Sequence, residues 1–316
     1  MNGRPLPTPN GWFHALHSED LAPGSVESLR YLGQDLVAFR GEDGLATILD
    51  AYCPHLGAHL GRGGKVEGST LRCPFHGWAF DADGRCADVP YATRIPKGVA
   101  ARVYPTTERN GAIFFWHDAE GAPPRFEVPE IPEWGDSSFA SSWQRHAWTV
   151  RTHPQDVLEN GIDWAHVMPV HGFESPGKIV CNFEGPHFDW GLDTSKNIEL
   201  LGDAEDSFRF RVRSYGLGVS VVRYEGRFHT VFQIGQTPID ADSTRITFSI
   251  LVRQNDLEDP EIAPALRAYT EDHVRTFEQD FPIWENKMYR ERPLLCDGDG
   301  PIQEFRSWAS QFYAVR

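Results

Sequence analysis

Four residues constrain this chain more than any other feature: Cys53-Pro-His55 and, seventeen residues further on, Cys73-Pro-Phe-His76. Each short loop offers one thiolate and one imidazole. A structural zinc site of two Cys and two His usually groups Cys with Cys and His with His. One of each from every loop suits a [2Fe–2S] cluster with two Cys on one iron and two His on the other. Gly57, Gly61, Gly63 and Gly64 follow the first pair and Gly77 follows the second. Glycines let backbone N–H groups approach bridging sulfides, whose hydrogen bonds tune the reduction potential. His59 is off this spacing and reads as a solvated or hydrogen-bonding loop residue. Cys86, Cys181 and Cys296 have no partner at metal-ligand spacing and read as small buried hydrophobes.

The loops must be held by the elements around them. Apolar runs at 29–32, 35–39, 45–49 and 112–116 read as short strands, with Gly41-Glu-Asp-Gly44 as the turn between two of them. The part up to residue 120 is therefore expected to be all-β. The stretch from Asp118 to Asp136 carries Pro123, Pro124, Pro129 and Pro132 and reads as an inter-domain linker, set at 121–145. In the remainder, 146–316, residues 155–166 look helical. Residues 208–214, 219–224, 228–234 and 245–253 look like strands, and 260–289 reads as largely helical, interrupted or kinked near Pro282. The expected class is α+β: an all-β domain followed by an α+β domain built on an antiparallel sheet.

The second domain has its own constellation, Asn160-Gly-Ile-Asp163-Trp-Ala-His166-Val-Met-Pro-Val-His171. Residues five apart on an unbroken helix are rotated by about 500°, roughly 140° out of phase, so the two histidines would not share a face. Pro169 is expected to end the helix at Met168 and let His171 return toward His166. Two imidazoles and one carboxylate make the facial triad of a non-haem Fe(II) oxygenase, with positions left open for O₂. Asp163, three residues before His166, is expected to accept the Nδ1–H of that histidine and fix its tautomer. Asn160 reads as a local hydrogen-bonding residue, and Asp156 and Glu159 as solvated helix charges. The carboxylate ligand must come from downstream, where Glu271, Asp272, Glu278, Asp280 and Glu285 are all candidates that periodicity does not separate.

Composition excludes some partners. Thirty Lys and Arg against 45 Asp and Glu leave a net charge of −15. Such a chain repels phosphate backbones and anionic membrane surfaces, so neither nucleic acid nor a membrane is expected as a partner. The apolar runs are strand-sized, far short of the ~18 residues of a membrane span. An odd, low count of five cysteines argues for a reducing compartment, and a cytoplasmic location is expected. No G-x-G-x-x-G opens a helix after a strand, so nicotinamide would act through a separate reductase.

The stretch CPHLGAHLGRG…CPFHGWAFDADGRC closely resembles the Rieske motif of ring-hydroxylating oxygenases. The segment from Asn160 to His171 resembles the mononuclear iron motif of Rieske oxygenase α-subunits. Near the C-terminus, FEQDFPIWENK at 277–287, PLLC at 293–296 and FRSWASQFY at 305–313 resemble the 3-ketosteroid 9α-hydroxylase oxygenases and cholesterol 7-desaturases. Ala309 departs from that branch, which usually has an aromatic there. The resemblance runs from Gly11 to Tyr313. It implies a Rieske [2Fe–2S] domain with the cluster on Cys53, His55, Cys73 and His76, then a helix-grip-like catalytic domain with Fe(II) on His166, His171 and Asp280. It implies that Asp163 bridges electrons from His76 of a neighbouring subunit in a head-to-tail homotrimer. The implied activity is a monooxygenase that hydroxylates or desaturates a steroid-like or other polycyclic apolar substrate. Electrons would come from NAD(P)H through a separate reductase, with or without a ferredoxin. An O- or N-demethylase using the same metals is the alternative.

Overall fold

The structure is a computed structural model that describes residues 6–172, 178–194 and 208–314. Eleven short strands make up the N-terminal part. β1 (Gly11–His17), β10 (Thr106–Arg109) and β11 (Ala112–His117) form one sheet. β2 (Val26–Tyr31), β3 (Gln34–Arg40), β4 (Ala46–Asp50) and β9 (Val103–Tyr104) form a second. β5 (Lys65–Glu67), β6 (Thr70–Arg72), β7 (Ala79–Phe80) and β8 (Cys86–Asp88) form a third. The expected strands and the turn at 41–44 lie within this arrangement. The two Cys/His loops leave β4 and β6, so the β5–β8 sheet carries one loop against the other.

The 118–136 stretch has no helix or strand, yet it is not a free tether. Val128 and Ile131 are buried. Asn110 grips the stretch from one side: its Nδ2 donates to the Pro129 carbonyl at 2.8 Å, and its Oδ1 accepts from the Ile131 N–H at 3.0 Å.

The C-terminal part is built on one seven-stranded antiparallel sheet in the order β12-β18-β17-β16-β15-β14-β13. These strands are β12 (Gln144–Val150), β13 (Lys178–Glu184), β14 (His187–Thr194), β15 (Phe208–Tyr215), β16 (Val219–Glu225), β17 (Thr230–Pro238) and β18 (Thr244–Val252). Strands β12, β13 and β14 lie outside the strands expected from the sequence; β12 and β13, as in KIVCNFE, give no clean period-2 signal, whereas β14, HFDWGLDT, does alternate. Alternation divides the sheet's faces. Thr237 and Gly235 of β17 meet β1, where the Thr237 hydroxyl donates to the His14 carbonyl at 2.7 Å. Phe232 and Ile234 turn to the other side, onto the helices.

Among the described residues there are six α-helices: α1 (Pro154–Glu159), α2 (Val167–His171), α3 (Gln254–Glu258), α4 (Ala263–Glu278), α5 (Phe281–Asn286) and α6 (Ile302–Ala309). In α4, Leu266, Tyr269, Thr270 and Val274 are buried, a stripe at helical spacing that packs on the sheet. The helical stretch expected at 260–289 is thus α4 and α5, joined at Gln279 and Asp280. Of the two expected forms, interruption or kink, the structure has the interruption: α5 starts anew with Pro282 in its first turn, where a missing N–H costs nothing. Among the described residues no helix is long and apolar enough to cross a membrane.

Two candidate metal centres

The first centre is assembled from two near-equivalent turns. Cys53 and Cys73 are each followed by Pro, and in each turn the Cys carbonyl accepts from the N–H of the glycine four residues on, Gly57 at 2.9 Å and Gly77 at 3.1 Å. Both glycines take a left-handed φ, 75° and 72°, a conformation that an L side chain resists. At Gly77 a Cβ would also lie 3.0 Å from Pro90. The turns bury both thiols and leave the imidazoles at the rim. The His55 and His76 rings sit 4.7 Å apart, and His55 stacks on Trp78 at 4.4 Å. Trp78 is fixed in turn by its Nε1–H, which donates to the Tyr91 hydroxyl at 2.7 Å. Burial, with Cys73 alongside, pushes the Cys53 thiol up to about 11. Two buried thiols facing each other, with no disulfide, are a donor pair that a positively charged iron centre would compensate. The set fits a [2Fe–2S] cluster. His59 lies outside it, its Nδ1 accepting from the Gly61 N–H at 3.1 Å.

The second centre depends on an interrupted helix. His153 caps α1 by accepting the Gln155 N–H on its Nδ1 at 3.1 Å, and Pro154 occupies the first turn. The chain tightens to a 3₁₀ turn at Asn160–Ile162 and then breaks at Asp163, whose ψ is 80°. A further 3₁₀ turn, Trp164–His166, leads into α2, which Gly172 ends in the left-handed region at φ 75°. The expected end at Met168 therefore does not occur. Pro169 sits in the first turns of α2, where a missing N–H leaves no bond unmade, and the break falls six residues earlier. His166 and His171 meet across the short α2 itself.

Their Nε2 atoms are 3.2 Å apart, and Asp280 Oδ1 lies 3.7 Å from the first and 3.5 Å from the second. Orientation comes from the other side of each ring: His171 Nδ1 pairs with Gln279 Oε1 at 2.9 Å, and His166 Nδ1 pairs with the backbone carbonyl of Asp163. That carbonyl, not the Asp163 carboxylate, holds the tautomer, because the break at Asp163 turns its backbone oxygen toward the ring. Asn160 Nδ2 donates to Asp280 Oδ2 at 2.9 Å and lies 3.2 Å from His166 Nε2. Asp280 is 3% exposed and, among the described residues, its Oδ1 has no hydrogen-bond donor. Burial lifts its carboxyl above the ordinary carboxylate range, although both histidines and Asn160 pull it down. A buried carboxylate oxygen without a donor, facing two imidazole nitrogens, is a donor set that fits a divalent iron.

Tertiary structure separates the five downstream carboxylates. Glu278 accepts from Trp148 Nε1 at 2.8 Å, Asp272 pairs with Arg275 at 2.9 Å, and Glu285 meets the Arg151 N–H at 3.5 Å. Glu271 is exposed. Only Asp280, among these, meets the two histidines. The reading of Asp156 and Glu159 as solvated charges is overturned. All of α1 is buried, with Asp156 at 2% and Glu159 at 7% exposure. Each has a cation: Lys287 lies 3.3 Å from Asp156, and Arg306 of α6 forks onto Glu159 at 2.7 and 2.8 Å. No signal in the local sequence marks these pairs, since both cations arrive from more than a hundred residues away.

Beside Asp280 the sheet and α4 enclose an aromatic wall. Trp148, Phe277 and Phe281 cluster with ring centroids 5.4–6.0 Å apart. Phe232 and Phe248 sit 5.1 Å apart behind them, and Phe210 stacks on Tyr224 at 5.3 Å. Trp148, Trp190, Phe210, Tyr224 and Phe277 are only partly buried although they pack against the core.

A seven-stranded sheet, two separate donor sets and an aromatic wall define a two-centre iron redox enzyme. Residues 11–104 match the Rieske [2Fe-2S] domain family, and residues 115–313 match the 3-ketosteroid 9alpha-hydroxylase C-terminal domain family. The chain is 34% identical to the cholesterol 7-desaturase of Bombyx mori, over 98% of this chain and 70% of that one. It is 33% identical to a probable 3-ketosteroid-9-alpha-monooxygenase oxygenase component of Rhodococcus rhodochrous, over 96% of this chain and 79% of that one. Dicamba monooxygenase bound to dicamba has the same fold, with TM-score 0.76 at 19% identity over 96% of both chains. The chain belongs to the Rieske non-haem iron oxygenases whose C-terminal domain is of the 3-ketosteroid 9α-hydroxylase family. Enzymes of this family carry a Rieske cluster and a mononuclear iron.

Proposed function

We propose that this chain is the terminal oxygenase component of a steroid- or sterol-transforming monooxygenase, in which a part spanning 1–120 holds the cluster and a part spanning 146–316 holds the iron. In this reading Cys53, His55, Cys73 and His76 ligate the cluster, and His166, His171 and Asp280 ligate the iron. When bound, these groups supply one-electron transfer and dioxygen activation. The protein's own residues do the rest. The Asp163 carbonyl and Gln279 orient the two imidazoles, and Asn160 holds one oxygen of Asp280 so that the other faces the metal. The aromatic wall excludes water and receives a flat, apolar, fused-ring molecule. That wall, running beside Asp280 in a chain whose relatives are named for steroids and cholesterol, is the observation that carries the substrate class.

Electron delivery needs partners. A separate NAD(P)H-dependent reductase, with or without a ferredoxin, supplies the cluster in this reading, and the acidic surface favours a donor with a basic face. The cluster's imidazoles open on a rim where Leu56, Phe75 and Tyr91 are 66%, 62% and 63% exposed. Such a rim supports docking of a second copy, whose Asp163 would then reach His76, and a head-to-tail ring of this kind closes as a homotrimer. In this chain the Asp163 carboxylate forms no hydrogen bond among the described residues, leaving it available for that bridge. Five free cysteines accord with a cytoplasmic location.

Iron and sulfide analysis of purified protein tests the reading, with about three irons per chain expected. Stoichiometric zinc in a colourless protein would refute it. Turnover of a steroid panel with a reductase and NADH should give a hydroxylated or desaturated steroid. Formaldehyde release from methoxylated aromatics, with no steroid product, would move the assignment to a demethylase.

A further inference from the structure

His273 is the one histidine in the α4 segment that faces the sheet without serving the metal centre. It stands seven residues before Asp280. Seven residues of helix turn about 700°, within about 20° of two full turns, and rise about 10 Å, so both project from the same side of the helix. Phe277 lies between them on that side. The His273 ring packs against Tyr224 at 4.5 Å, Tyr269 at 4.3 Å and Phe232 at 5.4 Å, among the same aromatic residues that line the wall beside the metal donors.

The tautomer of His273 follows from its single hydrogen bond. Nδ1 lies 2.9 Å from the Tyr269 carbonyl, which only accepts, so the proton sits on Nδ1. Burial holds the ring below the usual imidazole range, which keeps it neutral near pH 7. The outer nitrogen, Nε2, is then a lone-pair acceptor, and no group among the described residues donates to it. The neighbouring Tyr224 hydroxyl likewise has no hydrogen-bond partner among the described residues, and burial raises its pKa, so it remains a donor. Both rings keep some accessible surface although protein surrounds them.

We propose that His273 and Tyr224 are the specificity-determining pair that recognises the polar end of a fused-ring substrate, and that they select an alcohol over the corresponding ketone. A hydroxyl donates to His273 Nε2 and accepts from the Tyr224 hydroxyl. A ketone oxygen only accepts, so it leaves Nε2 unpaired and sets two lone pairs against each other. The pair places the polar end about two helical turns from the metal donors, a separation that a polycyclic skeleton spans and a single-ring substrate does not. This inference rests on the steroid reading of the same site.

The test is calorimetric binding of cholestanol and cholestanone, carried in cyclodextrin, to the iron-loaded enzyme. Wild type should bind cholestanol about tenfold more tightly, as expected when one ligand leaves a buried acceptor unpaired. His273→Phe should erase that ratio while keeping the affinity for cholestanone. Tyr224→Phe, which removes the hydroxyl and little volume, should weaken both ligands, and His273→Gln, which retains an acceptor, should restore part of the ratio. Equal affinities in wild type, or a ratio unmoved in both His273→Phe and Tyr224→Phe, would overturn the inference and leave the steroid reading in place. Failure of wild type to bind either compound would overturn both.

Discussion

Replacing Arg306 by Met probes how α6 supports the proposed iron site. Arg306 of α6 donates from Nε and Nη2 to the two oxygens of Glu159 and from Nη1 to the Arg290 carbonyl at 2.5 Å. The two side chains are 16% and 9% exposed, so this is a largely desolvated, bidentate pair. Methionine fills much of the same volume but leaves the Glu159 carboxylate buried against nothing. Removing one partner of a buried pair costs about 3–5 kcal/mol, and the residual exposure of Arg306 favours the lower end, about 3 kcal/mol. For a domain of this size that corresponds to a fall in melting temperature of about 6–12 °C. The site should respond as well, because Glu159 is the residue before Asn160, which holds Asp280. Differential scanning calorimetry and iron content on the same samples give both readouts. The double variant Glu159→Gln/Arg306→Met removes the stranded charge and should recover more than half of the loss. A single variant that melts within 2 °C of wild type, or a double variant no better than the single, would refute the reasoning about a desolvated pair.

Three other outcomes follow from the geometry. Asp163→Ala should keep the cluster's visible spectrum and the full iron complement yet lose nearly all turnover with reductase, since the backbone carbonyl that orients His166 survives the change; normal turnover would remove Asp163 from the electron path. Burial raises the Asp280 carboxyl, so in metal-free protein the ionised form is the disfavoured one, and stability should fall as pH rises from the unfolded carboxylate value through the raised folded one. Asp280→Asn should therefore melt higher than wild type at neutral pH when both are metal-free, while binding no mononuclear iron and keeping the cluster; a lower melting temperature would contradict the assigned cause. Gly77→Ala forces a side chain to a φ of 72° and against Pro90, a strain of about 1–2 kcal/mol, and should lower cluster occupancy measured by labile sulfide.

Legibility in the sequence followed contact distance along the chain. The proposed cluster donors sit in two loops whose composition, Cys-Pro, His and a following glycine, suggests both the ligand set and the turn. The expected strands of the first part were equally local, because period-2 alternation and turn residues are properties of a few adjacent residues. The segment that carries His166 and His171, the proposed iron ligands, was only partly readable. Its break falls at Asp163, which leaves the helical region so that its carbonyl meets the His166 imidazole, and not at Pro169.

What the sequence determined alone was the chemistry on offer: one thiolate–imidazole set, one histidine pair and an acidic chain. Tertiary structure decided which carboxylate joins the histidines, since Asp280 is 109 residues beyond His171 and periodicity treats it like its neighbours. Packing also decided that Asp156 and Glu159 are buried. A short helix pressed between the sheet and α6 has no solvent face, and its charges survive there only because Lys287 and Arg306 arrive from distant segments. Burial is a property of the assembled layers, and no window of local sequence contains it.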